Sequence, residues 1–234
     1  MMTLTYPLKS GKSLKLMLAT NEESQAVSRA LKRWRKSVAG EASPIKLDAV
    51  ELAELAFRRW DEARARQRAA SSIQEIKEFV QNNPFAEVSV MILAKAPWVR
   101  KKQLNTLVGL CTLRRTWANH IFIDFLSAHP RITRDPRSPI RGVGTALMYA
   151  IATVGAAIGA KAVWGEATQN SVRFYAKLFG KEDMKDLLYV TEAEYTAFRK
   201  RIEEELRKIE EGRKPKALAE RSHGKPAPPE PEPR

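Results

Sequence analysis

Residues 121–180 restrict the possible folds of this chain more than any other stretch. An apolar strand, a basic loop, the run Arg141-Gly142-Val143-Gly144-Thr145-Ala146, an uncharged helix and a second strand follow one another there. Asn170-Ser171-Val172-Arg173-Phe174-Tyr175 comes next. Glycine lets the backbone approach a ligand closely, and the N–H groups of a helix's first turn lack internal partners and point toward an anion. A strand, a glycine turn and a helix in this order make a place to hold a phosphate, and Tyr175 is a polar group such a ligand can reach. The pattern favours a nucleotide-type cofactor.

The chain has 234 residues, 44% hydrophobic and 29% charged, which suits one globular domain with appendages. Its formal net charge of +14 favours acidic partners such as nucleic acid, an anionic membrane surface or a phosphate-rich cofactor, or else reflects solvated basic helix faces. A single cysteine, Cys111, excludes an internal disulfide and a cysteine-based metal site, and its apolar neighbours Leu110 and Leu113 mark it as a small core residue. His120, His129 and His223 have no ligand spacing, so no metal is expected. The N-terminus lacks an apolar signal core, which places the protein in the cytoplasm. Residues 142–160 are uncharged and nearly long enough to span a bilayer, but they are mostly Ala, Gly and Thr, weak for insertion and natural for a helix packed on a sheet. No membrane association is expected.

Strands are expected over 14–18, 87–93, 107–113, 121–127, 161–167 and 187–190. Trp117-Ala118-Asn119-His120 reads as the turn of an antiparallel hairpin. Thr20 with Glu23, Asp48 with Glu51, Ser72 with Glu75 and Thr191 with Glu194 have the spacing of helix starts. The last helix runs to about residue 211 with Glu204 four residues before Lys208. After Gly212 the chain is rich in proline and charge and cannot bury enough apolar area to order itself.

Two motifs in order, the turn at 141–146 and the segment 170–180, resemble the GCN5-related N-acetyltransferase superfamily. The resemblance implies an α/β fold with a mixed, mostly antiparallel central sheet flanked by helices, here with extra N-terminal helices and a long C-terminal helix. It implies an acyltransferase domain over 1–190, with the helical segment 22–83 near the acceptor site. A charged helix over 191–212 and a disordered Pro-rich tail over 213–234 follow. By the same resemblance, the backbone at Gly142, Val143, Gly144, Thr145 and Ala146 holds the pyrophosphate of acetyl-CoA as co-substrate. Arg141 and the loop residues Arg131, Arg134 and Arg137 can add charge toward the 3′-phosphate, the loop arginines being equally readable as solvent-exposed. Leu126 and Ser127 take the place of backbone groups that pair with the pantetheine arm, on a strand that splays from 163–167. Asn170 matches a polar contact to that arm.

Tyr175 matches the tyrosine that protonates the departing thiolate. A phenol with an ordinary pKa of about 10 keeps its proton at neutral pH. The bland alternative makes Phe174 and Tyr175 packing residues. For the general base, Asp124 and Glu166 are candidates, each equally readable as half of a salt bridge with Arg114 or Arg115; His129 is a third. The implied activity is transfer of an acetyl group from acetyl-CoA to a primary amine of unknown class. Two alternatives stand beside it. One is a basic protein that binds tRNA or acetylates aminoacyl-tRNA, suggested by the basic faces at 29–36 and 58–68. The other is a non-catalytic, CoA-binding interaction protein. Candidate partners are an acidic molecule or tRNA, and a second copy of the chain.

Overall fold

The computed structural model describes residues 2–99, 106–132, 138 and 140–212. The strands are β1 (Thr3–Pro7), β2 (Ser13–Leu18), β3 (Val88–Lys95), β4 (Leu107–Arg115), β5 (Ile121–Ala128), β6 (Ala162–Glu166) and β7 (Leu187–Thr191). The helices are α1 (Ser24–Ser37), α2 (Pro44–Ala65), α3 (Ile73–Asn82), α4 (Val143–Ile158), α5 (Val172–Phe179) and α6 (Glu192–Glu211). The strands form one sheet in chain order, antiparallel at every seam except β5–β6, which is parallel. That is the mixed, mostly antiparallel sheet expected, with both the added N-terminal helices and the C-terminal helix in place.

Alternating side chains send each strand into two cores. On one face α1 and α2 lay Val27, Leu31, Trp34, Val50 and Trp60 over Met17, Met91, Leu93 and Leu110. On the other, α3, α4 and α6 cover Leu16, Val90, Ile92, Val108 and Cys111. Cys111 is a core residue, and burial pushes its thiol up to about 12. The apolar residues of α4 are buried around most of the helix, and no described helix is long and apolar enough to cross a membrane. Tyr195, Phe198 and Ile202 of α6 join the same core, so the charged C-terminal helix is one wall of the sheet's cover.

Two local expectations need correction. β1 was not anticipated; it is a short edge strand ending at Pro7, where a residue without an N–H is tolerated. Helix α2 begins at Pro44 with Ser43 as its N-cap, so Asp48 is internal. Proline's fixed φ suits the first helical position, and that signal outweighs the spacing of Asp48 and Glu51. The starts at Ser72 and Thr191 are as expected: each side chain accepts from the backbone N–H three residues on.

Hydroxyl groups fix where α2 lies. Thr112 on β4 donates to the Ala56 carbonyl at 2.8 Å, and Ser127 on β5 donates to the Ala49 carbonyl at 2.6 Å. These tethers, two helical turns apart, hold α2 along the β4–β5 seam.

Candidate functional site

Strand β5 pairs with β4 along its whole length but with β6 only through Ile121, Phe122 and Ile123, opposite Val163, Trp164 and Gly165. Beyond Ile123 the strands part. The splay therefore begins after Gly165, later than the expected opening over 163–167. Gly165 sits where they diverge: a Cβ there would lie 2.9 Å from the Ile123 carbonyl oxygen. At the same level β5 bulges. Thr112 faces Phe125 and Leu113 faces Ile123, so Asp124 has no cross-strand partner.

The gap opens into a cavity of about 780 Å³. Ile123 to Leu126 and Ala128 form one wall, and Arg141 to Thr145 form the end at α4. Glu166, Thr168, Asn170 and Ser171 follow from β6, Phe174 and Tyr175 from α5, and Leu52 closes the α2 side. The sequence reading brought Leu126, Arg141–Thr145, Asn170, Asp124, Glu166 and Tyr175 to this region, and the fold places all of them around one space.

The first turn of α4 is built by glycines. Gly142 holds the left-handed conformation at φ +82°, which a side chain would strain, and reverses the chain into the helix. A Cβ at Gly109 would lie 2.4 Å from Val143 Cγ1, so the bare backbone of β4 lets α4 settle onto the sheet. A Cβ at Gly144 would lie 3.1 Å from the Phe174 ring, so Phe174 packs over this turn. The N–H groups of Val143, Gly144 and Thr145 precede the first intrahelical bond, which Ala146 donates to the Gly142 carbonyl at 2.8 Å. Ala146 is thus a correction: its N–H is used by the helix and its side chain is buried away from the cavity.

Ser127 is a second correction. His129 donates its N–H to Val108, so by antiparallel alternation Ser127 and His129 turn their peptide groups to β4, while those of Leu126 face the gap. The Ser127 hydroxyl is spent on α2. Of the loop arginines, Arg131 donates to the Ser37 carbonyl at 2.9 Å, where a cation suits the C-terminal end of α1; Arg134 and Arg137 lie outside the described residues.

The two carboxylates differ. Asp124 is nearly buried and accepts from Arg114 Nε at 3.0 and 3.2 Å, with Arg59 Nε 3.8 Å away. Burial pushes its pKa up, and Arg114 and Arg59 pull it back only in part. It is the salt-bridge half that its sequence left open. Glu166 is exposed at the end of β6, and no described residue is ion-paired with it. His129 is corrected as a base: it is fully buried beside Trp34, its Nδ1 accepts from the Arg131 N–H, and burial with Arg131 lowers its pKa to about 4.

Tyr175 lines the cavity with its ring against Phe174, and burial holds its phenol above the ordinary value. Asn170 donates to Asp48 at 3.3 Å, linking the rim to α2. Leu52, Phe125, Thr168 and Ser171 went unread. Helical spacing from Leu55 marks Leu52; simple alternation puts Phe125 on the face of Ile123, but the bulge at Asp124 turns it to the α2 face, and the turn in which the Ser171 N–H bonds to the Thr168 carbonyl at 2.8 Å had no distinctive signal.

Residues 59–180, more than half of the chain, match the family model described as acetyltransferase (GNAT) family. No curated protein sequence matches significantly. Among solved structures the chain is similar to the PaiA N-acetyltransferase from Thermoplasma acidophilum in complex with coenzyme A. That match has 18% identity and TM-score 0.42, covering 76% of this chain and 99% of that one. It is also similar to Tetrahymena GCN5 at 11% identity and TM-score 0.38, covering 76% and 96%. A third similarity is to the GNAT domain of S. lividans PAT, at 10% identity and TM-score 0.42, covering 80% and 94%.

Proposed function

The chain belongs to the acetyltransferase (GNAT) family, and from that membership we propose that it transfers an acetyl group from acetyl-CoA to a primary amine. One observation carries the reading: the open first turn of α4 and the gap between β5 and β6 face the same cavity. The amides of Val143, Gly144 and Thr145, with Arg141 beside them, suit a diphosphate at a positive helix end. The unpaired stretch of β5 suits an extended amide-bearing arm, which would complete the hydrogen bonding that β6 leaves off. Asn170 stands on the rim where that arm would pass.

Acetyl-CoA supplies an activated thioester. The peptide N–H of Leu126, turned into the gap, suits polarising an acyl carbonyl, as fixed donors do where negative charge develops. Glu166 is assigned the proton from the incoming ammonium, because Asp124 is already gripped by Arg114. Tyr175, kept neutral by burial, is assigned the proton for the departing thiolate. The net change is a new N–acetyl bond, a broken C–S bond and a free thiol.

Calorimetric titration with CoA into wild type and Thr145→Glu tests this. Glu at the third position of a helix suits its N-terminus, so Tm should not fall. A carboxylate facing the phosphates should weaken binding about 100-fold, since opposed like charges cost several kcal/mol. Thiol release that depends on added amine completes the test. A wild type that does not bind CoA would sink the proposal.

A further inference from the structure

A second hollow, of about 420 Å³, adjoins the large cavity and shares Asp124 and Phe125 with it. Its outer wall is one face of α2: Leu55, Arg58, Arg59 and Glu62 recur at the three- and four-residue spacing that aligns side chains on a helix. Leu52 continues this face into the large cavity, so the same helix borders both spaces. The tethers at Ala49 and Ala56 hold that helix along the β4–β5 seam. Resting on the acetyl-transfer reading, the hollow lies on the side of the splay away from α4 and opens beside the candidate reacting position.

The lining alone is balanced, Arg58 and Arg59 against Asp124 and Glu62; the surplus becomes positive with the adjoining Arg66, Arg68 and Arg114, set against Glu87. Asp124 is occupied by Arg114, which also pairs with Glu87. Arg59 is only a loose neighbour of Asp124 at 3.8 Å, and Arg58 forms no ion pair among the described residues. Glu62 is the remaining carboxylate of the wall. Arg66 and Arg68 extend the basic surface next to it. An arginine fork in a concave site fits a carboxylate or phosphate in two-point contact.

We propose that Arg58 and Arg59 form an acceptor subsite for an anionic group, so that the amine acetylated here belongs to a small molecule bearing its own carboxylate or phosphate. The anion anchors the molecule at α2 and leaves the amine directed past Phe125 toward Leu126 and Glu166. The same positive field favours the neutral form of an arriving amine, which is the nucleophilic form, and disfavours polycations.

The test compares matched acceptors with and without the anion: tyrosine with tyramine, arginine with agmatine, phosphoethanolamine with ethanolamine. Rates are read as CoA thiol release from the full chain. The expected result is at least a ten-fold higher kcat/KM for the anionic member of one or more pairs. The two amino acids and the phosphate ester separate a carboxylate from a phosphate. In Arg58→Gln/Arg59→Gln this preference should fall below about two-fold, mainly through KM, and Arg58→Lys should retain part of it. CoA affinity, measured on the same preparations, should not change.

Equal use of both members of every pair overturns the inference, as does a preference that survives the double substitution. Should no small amine turn over, calorimetry of the same pairs on CoA-saturated protein decides, and absence of anion-dependent binding overturns it. Turnover of aminoacylated tRNA with none of the small acids also overturns it. Failure of the wild type to bind CoA defeats the transfer reading itself, whereas normal CoA binding without anion preference defeats only this subsite.

Discussion

Strand β5 meets β4 along its full length and β6 over only three residues, and the two seams divide the molecule's work. At the closed seam, residues are spent on holding the fold. Gly109 admits α4, Thr112 and Ser127 tether α2, and Arg114 neutralises Asp124. At the open seam, Leu126, Glu166 and Tyr175 face a cavity. A sheet edge left unpaired inside a domain wastes hydrogen bonds unless something else fills it. On the proposed acetyl transfer, the contrast separates stability from chemistry along the two sides of one strand.

The contrast can be broken by substitutions that ought to affect one seam alone. The largest effect should come from Arg114→Ala, which strands a nearly buried carboxylate: urea denaturation should show a loss of about 3 kcal/mol. His129, at the end of the closed seam, should give a pH signature. Its folded pKa of about 4 lies below the ordinary 6.5, so the unfolded chain takes up a proton that the folded chain refuses. Its contribution is present above pH 6.5 and is lost as pH falls toward 4, about 3 kcal/mol in all. His129→Gln should flatten that part of the stability profile.

Tyr175→Phe belongs to the open seam. It should lower kcat about 100-fold while leaving CoA affinity and Tm near wild type. Equal losses of stability and turnover would mean that Tyr175 acts by packing. Gly109→Ala should cost about 1–3 kcal/mol, because its Cβ must displace Val143 and the α4 turn. If its CoA affinity falls more than its stability, the two seams are coupled through α4.

Local chemistry was legible from the residues. The starts at Ser72 and Thr191, the hairpin at 117–120 and the glycine turn before α4 depend on atoms a few positions apart, so short spacing reveals them. The cavity lining was legible where it repeats a local motif, as at 141–145. It was misread where facing decides: Leu126 and Ser127 are neighbours in the chain, but strand alternation turns one to the gap and the other to β4. Ala146 fits the motif, yet helix bonding takes its N–H.

From β2 onward the order of elements, together with the glycine turn and the two candidate carboxylates, follows from side-chain type and nearby spacing alone. Three features are set by long-range packing instead: Arg114 claims Asp124, β6 parts from β5 after Gly165, and one face of α2 brings Arg58 and Arg59 beside the opening. Those features arise from contacts between segments remote in the chain, where register, bulge and helix placement are settled by packing the whole sheet at once.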